Sequence, residues 1–388
     1  MTSPGIHAGD FVDEARGRGY NCYAGVPCSF LTPFINYVIN DRTLGYVSAA
    51  NEGDAVAIAA GTWIGGGRGV AMMQNSGLGN AISPLTSLTH TFRIPVLVIC
   101  THRGRPGIKD EPQHTLMGRI TETMFDTIEI PWTTFPDHRA AIPPALEKIE
   151  HAAQSRSAFG LILRGGVIAP CPLRPAAPTP PPPAATIEGR GHVLAVADRP
   201  SRQQALEVIC AASQEASQVV IATTGYTGRE LSAIADRPNH LYMVGSMGCA
   251  SSLALGLALA RTDLQVIVAD GDGATLMRMG NLATVGAYAP PNLTHVLLDN
   301  EAHDSTGGQS TVSARVDFAG VAAACGYRRV LRTDSTTELE GFLGAPAGEG
   351  ARFAHLKIRT GTSDGLPRPA LKPPEVLERL MSHIGSIG

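Results

Sequence analysis

In this chain of 388 residues, Gly271-Asp272-Gly273 follows the apolar run LQVIVA, and Asp299-Asn300 follows THVLL, with residues 274–298 between the two loops. That interval fits a strand–helix–strand unit, which brings both loops to one edge of a parallel sheet. A carboxylate from Asp272, an amide oxygen from Asn300 and a backbone carbonyl just beyond it form an oxygen donor set suited to Mg²⁺. This ion takes few protein oxygens and completes its octahedron with water and ligand phosphates. The glycines beside Asp272 let a diphosphate approach the backbone closely. Two other readings of DGDG fail on spacing. A calcium loop would need its closing glutamate about where Asn281 stands, and a dinucleotide fingerprint would need glycine where Leu276 stands. A lone DGD is a turn; the second loop at matched distance makes it a candidate site.

The elements that must position these residues are legible in both halves. GYNCYAGVP, GYVSAANEG, GVAMMQNSG and IPVLVICTHRG in the first half, and VVIATTGYTG, LYMVGSMG, LQVIVADGDG and THVLLDNEAHD in the second, are apolar runs that end in polar or glycine-bearing loops. Helix-like segments separate them. Continuous apolar strands alternating with helices predict an α/β fold of two doubly wound parallel-sheet domains, with ligands beyond the carboxyl ends of the strands. Between the halves, residues 167–192 carry eight prolines. They are expected to link a domain over 1–166 to one over 193–388. In polyproline II, at ~3.1 Å per residue, the densest part would reach about 50 Å.

Composition narrows the function class. A net charge of -3 with 17% charged residues offers no basic field for nucleic acid. Seven scattered cysteines without a CxxC pair fit reduced thiols better than a disulfide framework. The N-terminus lacks the pattern of a signal peptide and no apolar run approaches ~20 residues, so a cytoplasmic location without membrane contact is expected.

GDG, a helix-length gap and DNEAHD together resemble the signature of the thiamine-diphosphate-dependent 2-oxo acid decarboxylases. The resemblance implies that Asp272, Asn300 and the carbonyl of Ala302 hold Mg²⁺ against the diphosphate of bound thiamine diphosphate. The family commonly has two asparagines where this chain has Asp299-Asn300, and Asp299 is not expected to ligate metal. Such enzymes also need a carboxylic acid against the pyrimidine ring of the cofactor, preferably in a dry pocket. Glu52, in SAANEGDAVAIAAG, resembles that catalytic glutamate. The second half would therefore be the diphosphate-binding domain and the first the pyrimidine-binding domain. In this family the two meet between subunits, which implies a homo-oligomer, dimer or higher. Most relatives place a third domain where this chain has only the proline stretch, so the resemblance is to compact members and covers nearly the whole chain.

By the same resemblance Thr224, Gly225, Tyr226 and the loop Gly271 to Ala274 contact the diphosphate, and Ser246 and Met247 the aminopyrimidine. Asn75 and Ser29, at strand-end loops of the first half, are further candidates for cofactor and substrate contact. The similar segments, RGRPGIKDEPQHTLMGRIT among them, imply decarboxylation of 3-phosphonopyruvate to phosphonoacetaldehyde and CO₂ in phosphonate biosynthesis. The alternative is 3-sulfopyruvate or another 2-oxo acid. A non-catalytic binding protein of the same fold is the reading of a different class, and Glu52 beside an intact Asp272-Asn300 pair argues against it. An anionic substrate tail asks for charge-assisted donors. Arg103, Lys109, Gln113 and His114 lie in one loop-like stretch with Arg105 and Arg119. His114 and His303 are the candidates for proton transfer, since histidine titrates in the needed range.

Overall fold

The computed structural model describes residues 5–175, 184–214, 216–346 and 348–387. The chain divides into two compact units, one of residues 1–63 and 67–179, the other of 64–66 and 180–388.

The first unit is built on a six-stranded, all-parallel sheet. Its strands are β1 (Tyr20–Gly25), β2 (Gly45–Ser48), β3 (Arg68–Met73), β4 (Leu97–Thr101), β5 (Trp132–Thr134) and β6 (Phe159–Leu163). They lie in the order β2-β1-β3-β4-β6-β5. β4 and β6 are buried at every residue, as strands covered by helices on both faces must be. A cluster of Phe11, Phe34 and Phe135 anchors one face, with Phe11 and Phe135 centroids 4.8 Å apart. The chain runs from β1 outward to β2, then returns to β3 on the other side. This places a topological switch between β1 and β3, where ligand crevices form.

The second unit holds a seven-stranded parallel sheet of β7 (Thr186–Gly191), β8 (Gln218–Ala222), β9 (His240–Tyr242), β10 (Gln265–Gly271), β11 (Leu293–Asp299), β14 (Arg329–Thr333) and β15 (Arg352–Lys357). A small antiparallel hairpin, β12 (Ala302–His303) and β13 (Gln309–Ser310), stands apart from it. The sheet order β7-β14-β15-β11-β10-β8-β9 puts the switch between β8 and β10. The helix Ala250–Ala260, ASSLALGLALA, is buried from Ala250 through Ala258. Its small residues and leucines, none of them β-branched, let it lie under the sheet without the amphipathic stripe of a surface helix.

The expected doubly wound α/β architecture is therefore present in both units. The expected linker over 167–192 needs correction at both ends. Ile168 is buried and bridges to Ile6, and the carbonyls of Cys171 and Pro172 accept from Asn36 at 2.8 Å and Asn40 at 2.9 Å. At the other end β7 pairs with β14, while Glu188 pairs with Arg329 and Arg190 with Asp334. Proline content marked the segment as extended, but extended backbone with free donors can also add to a sheet edge. Residues 176–183 of the expected linker lie outside the described residues. Among the described residues, no helix is long and apolar enough to cross a membrane.

Candidate active site

In the second unit the functional loops converge because each follows a parallel strand. Thr224-Gly225-Tyr226 leaves β8, Ser246-Met247 follows β9, Gly271 to Ala274 closes β10, and Asn300 follows β11. All of these but the buried Ser246 line one cleft at the switch between β8 and β10, together with Ala302, His303 and Arg202. Thr224 Oγ1 accepts from the Gly245 amide at 3.1 Å and so ties the first two loops together. Gly225 takes φ +99° at the start of the helix Tyr226–Ile234, a conformation that favours glycine.

The two aspartates of the DGDG stretch have separate roles. Asp270 is fully buried and occupied by the Gly271 amide at 2.9 Å, Thr275 at 3.3 Å and His295 at 3.2 Å. Asp272 begins the short helix Asp272–Met277, faces the cleft and accepts from Thr311. Burial pushes its carboxyl above the usual range, more strongly than the Thr311 hydroxyl lowers it. A buried carboxylate whose charge is disfavoured is suited to a cation. The Asn300 amide oxygen, which accepts from Ala302 N at 3.3 Å, lies in the same cleft. Space around Gly271 is open, with no atom within 4 Å of a Cβ built there. A Cβ on Gly273, by contrast, would meet the His303 ring and lie 3.1 Å from the Met247 methyl. The oxygen donors and the open glycine backbone fit a metal-bound diphosphate.

Asp299, the departure from the paired asparagines, is turned away from the cleft. Its carboxylate accepts from His355 Nε2 at 2.8 Å and Ser313 Oγ at 2.8 Å, and pairs with Lys357 Nζ at 2.8 Å. Burial alone would raise its carboxyl, yet the hydrogen bonds from His355 and Lys357 hold it well below the usual range.

In the first unit Glu52 opens the helix Glu52–Ile64 after β2. It is half-buried; its Oε2 accepts from Asn80 Nδ2 at 2.8 Å, and Gly77 leaves the space that its carboxyl fills. Asn75, fully buried after β3, spends its side chain inside the unit. It donates to Arg103 O at 2.9 Å and Thr121 Oγ1 at 3.0 Å, and accepts from Arg103 N at 3.3 Å. Its side chain thus fixes the loop after β4. Arg103 is engaged as well, donating to Asp110 Oδ2 at 2.8 Å and Ser29 Oγ at 3.0 Å and lying over the Phe30 ring. These guanidinium hydrogen bonds hold the Asp110 carboxyl well below its ordinary value. Lys109 and Gln113 are exposed, and His114 is buried with Nδ1 lacking a hydrogen-bond partner among the described residues.

Sequence reasoning missed Arg202 and the hydroxyls behind Asp272. Arg202 is buried in the cleft wall between Glu230 at 2.9 Å and Asp304 at 2.6 Å. The Thr311 hydroxyl donates to Asp272 and the Ser313 hydroxyl to Asp299, and the two hydroxyl oxygens lie 2.9 Å apart. Only the polarity of DSTGGQSTVS signalled them.

Comparison with known proteins agrees with this arrangement. Residues 8–127 match the family model of the thiamine pyrophosphate enzyme N-terminal TPP binding domain, and residues 224–354 that of the C-terminal TPP binding domain. A phosphonopyruvate decarboxylase of Streptomyces viridochromogenes is 48% identical over 387 residues, covering 98% of this chain and 95% of the relative. A sulfopyruvate decarboxylase of Methanosarcina acetivorans is 28% identical, covering 95% of each. In fold, the chain superposes on the crystal structure of benzoylformate decarboxylase from Polynucleobacter necessarius with a TM-score of 0.71. That match covers 92% of this chain and 99% of the other at 14% identity. Related along nearly its whole length to an enzyme of this kind, the chain belongs to the phosphonopyruvate decarboxylase family of thiamine pyrophosphate enzymes.

Proposed function

We propose that this chain decarboxylates 3-phosphonopyruvate to phosphonoacetaldehyde and CO₂, using thiamine diphosphate and Mg²⁺, as a step of phosphonate biosynthesis. The observation that carries the reading is 48% identity to a phosphonopyruvate decarboxylase across 98% of the chain. The cleft supports it with a donor set for a metal-bound diphosphate. Asp272, Asn300 and the Ala302 carbonyl would hold Mg²⁺, while Thr224, Gly225, Tyr226 and Gly271 to Ala274 would receive the diphosphate. Ser246 and Met247 would contact the aminopyrimidine. On this reading residues 1–166 form the pyrimidine-binding domain and 193–388 the diphosphate-binding domain. The family resemblance implies a homo-oligomer in which Glu52 of one copy serves the Asp272 cleft of another.

Thiamine diphosphate, when bound, supplies the electron sink for breaking the bond between the carboxylate and the 2-oxo carbon. The chain's own residues have four tasks. Glu52 would hydrogen-bond the pyrimidine nitrogen and favour its reactive tautomer. Met247, an apolar side chain beside the His303 ring, would help exclude water where CO₂ departs. His114 or His303 delivers the proton that the aldehyde carbon gains. Ser29, Arg103, Lys109 and Gln113 receive the phosphonate. Among these Arg103 already has Asp110 as a counter-ion, so its charge is partly met, and exposed Lys109 offers a second positive charge.

The test is product formation from 3-phosphonopyruvate and 3-sulfopyruvate side by side, with and without thiamine diphosphate and Mg²⁺, on the parent and Glu52→Ala. Cofactor-dependent release of phosphonoacetaldehyde that collapses in Glu52→Ala is expected. Turnover of sulfopyruvate alone would overturn the substrate and keep the cofactor.

A further inference from the structure

Lys357, the last residue of β15, lies beside the end of β11 in register with Asp299. Its buried ammonium pairs with Asp299 Oδ2 at 2.8 Å and with Glu301 Oε1 at 2.6 Å. Those two residues are the immediate neighbours of Asn300 on either side. We propose that Lys357 is a positioning residue for the metal and diphosphate loop, clamping the residues that flank Asn300 so that its amide oxygen and the Ala302 carbonyl keep their aim. The inference deepens the reading above and rests on its assignment of Asn300 and Ala302.

Three observations carry the clamp beyond an ordinary ion pair. Glu301 holds φ +62°, a left-handed conformation uncommon for a residue with a side chain, at the point where the chain turns out of β11 toward Ala302. Lys357 fixes it from one side and Arg199 from the other, at 3.3 Å from the same Oε1. The Asp299 carboxylate also holds the backbone just beyond Asn300. Its Oδ1 accepts from the Glu301 amide at 3.0 Å and from Ser313 Oγ, which lies 2.9 Å from the Thr311 hydroxyl that donates to Asp272. A single ammonium is thereby connected to Asn300 through its chain neighbours, and the hydroxyl that donates to Asp299 packs against the one that donates to Asp272. Lys357 is 7% and Asp299 0% exposed in the side chain, so the charges have little water to exchange for one another and the geometry is held. Outer-shell residues of this kind are commonly worth 10–100-fold in metal affinity.

The experiment is a Mg²⁺ titration at fixed thiamine diphosphate, read as the rise in unfolding midpoint and by calorimetry. It is run on the full-length parent and on Lys357→Met, Lys357→Arg and Glu301→Gln. Glu301 is partly exposed, so Glu301→Gln cuts one arm of the clamp and leaves Asp299 paired; it carries the test if Lys357→Met fails to fold. The expected result is a Mg²⁺ half-saturation raised on the order of 10–100-fold in Lys357→Met. Lys357→Arg and Glu301→Gln should fall between Lys357→Met and the parent. Folded variants that take up Mg²⁺ at the parent's concentrations, with only a lowered midpoint in its absence, would overturn the positioning role and leave Lys357 as a structural cation. A parent that takes up neither Mg²⁺ nor thiamine diphosphate would overturn both this inference and the reading it rests on, whereas a parent that binds beside unaltered variants sinks the inference alone.

Discussion

Glu52 and Gly77 compete for one volume: a methyl group on Gly77 would overlap the Glu52 carboxyl, so the carboxylate keeps its place only because residue 77 has no side chain. Gly77 has φ -79°, which alanine adopts without strain, so Gly77→Ala isolates the steric effect. Displacing a catalytic group by about 1 Å can cost on the order of 10²-fold in rate. We expect Gly77→Ala to lose turnover on that scale at saturating cofactor, with an unfolding midpoint close to the parent's. Steady-state kinetics beside a thermal melt checks this, and full activity would show that the Glu52 carboxylate does not need its present position.

Asp272 links stability to function with opposite signs. Its carboxyl is raised above the ordinary value, so in the metal-free protein its charge opposes folding. Its contribution to stability is present below the ordinary carboxylate range and is lost as pH rises through the raised folded value. At neutral pH Asp272→Asn should therefore raise the unfolding midpoint of the metal-free protein. It should also remove the stabilisation by Mg²⁺ and thiamine diphosphate, worth about 2.7 kcal/mol for a ligand at 100 times its Kd. Melts with and without ligands measure both changes. Equal ligand stabilisation in Asp272→Asn would remove Asp272 from the metal site.

How far the sequence discloses this site follows from what each residue depends on. Strands β10 and β11 were legible because they are continuous apolar runs, and their loops because glycine and asparagine mark strand ends. The linker was overextended because proline content says nothing of whether the adjoining Thr186–Gly191 finds a sheet edge. Lys357 escaped notice for a different reason. It lies 58 positions beyond Asp299 on a strand, RFAHLK, whose alternation with polar residues resembles a half-exposed strand, although all six residues are buried. Only the parallel register of β11 and β15 brings it to Asn300, and register between strands distant in sequence is a tertiary property. Asn75 and Arg103 have the same origin. Their residue types suit ligand contact, but Asn75 is occupied by the Arg103 loop and Arg103 in part by Ser29, partners that sequence spacing does not relate.

Acid should weaken the second unit through His240. Burial pulls its imidazole down from 6.5 to about 4, while its Nδ1 lies 2.9 Å from the Ala235 carbonyl. A depressed histidine binds fewer protons folded than unfolded between those values, so stability falls as pH drops from about 6.5 towards 4. The loss is on the order of 3 kcal/mol across that window. Urea unfolding at pH 7 and pH 4.5 measures it, and His240→Asn should reduce the dependence, with His192, also pulled down to about 4 by burial, supplying part of the remainder. A parent whose stability is level between the two pH values would sink the prediction.

His303 can be examined without removing it. A methyl group on Gly273 would occupy the space of its ring, and the backbone there is helical, so Gly273→Ala should fold and drive the imidazole out of its present position. If His303 delivers the proton that decarboxylation consumes, both Gly273→Ala and His303→Ala should lower kcat. Lost general acid catalysis typically costs on the order of 10²–10⁴-fold. The double variant should then be little worse than either single one, because two substitutions that abolish the same interaction do not add. Single-turnover product release from the three variants at saturating Mg²⁺ and thiamine diphosphate decides the matter. Losses that multiply would mean that the methyl acts independently of His303, whereas an undiminished kcat in His303→Ala would rule His303 out as the proton donor and leave His114, buried with Nδ1 unpartnered among the described residues, to serve in its place.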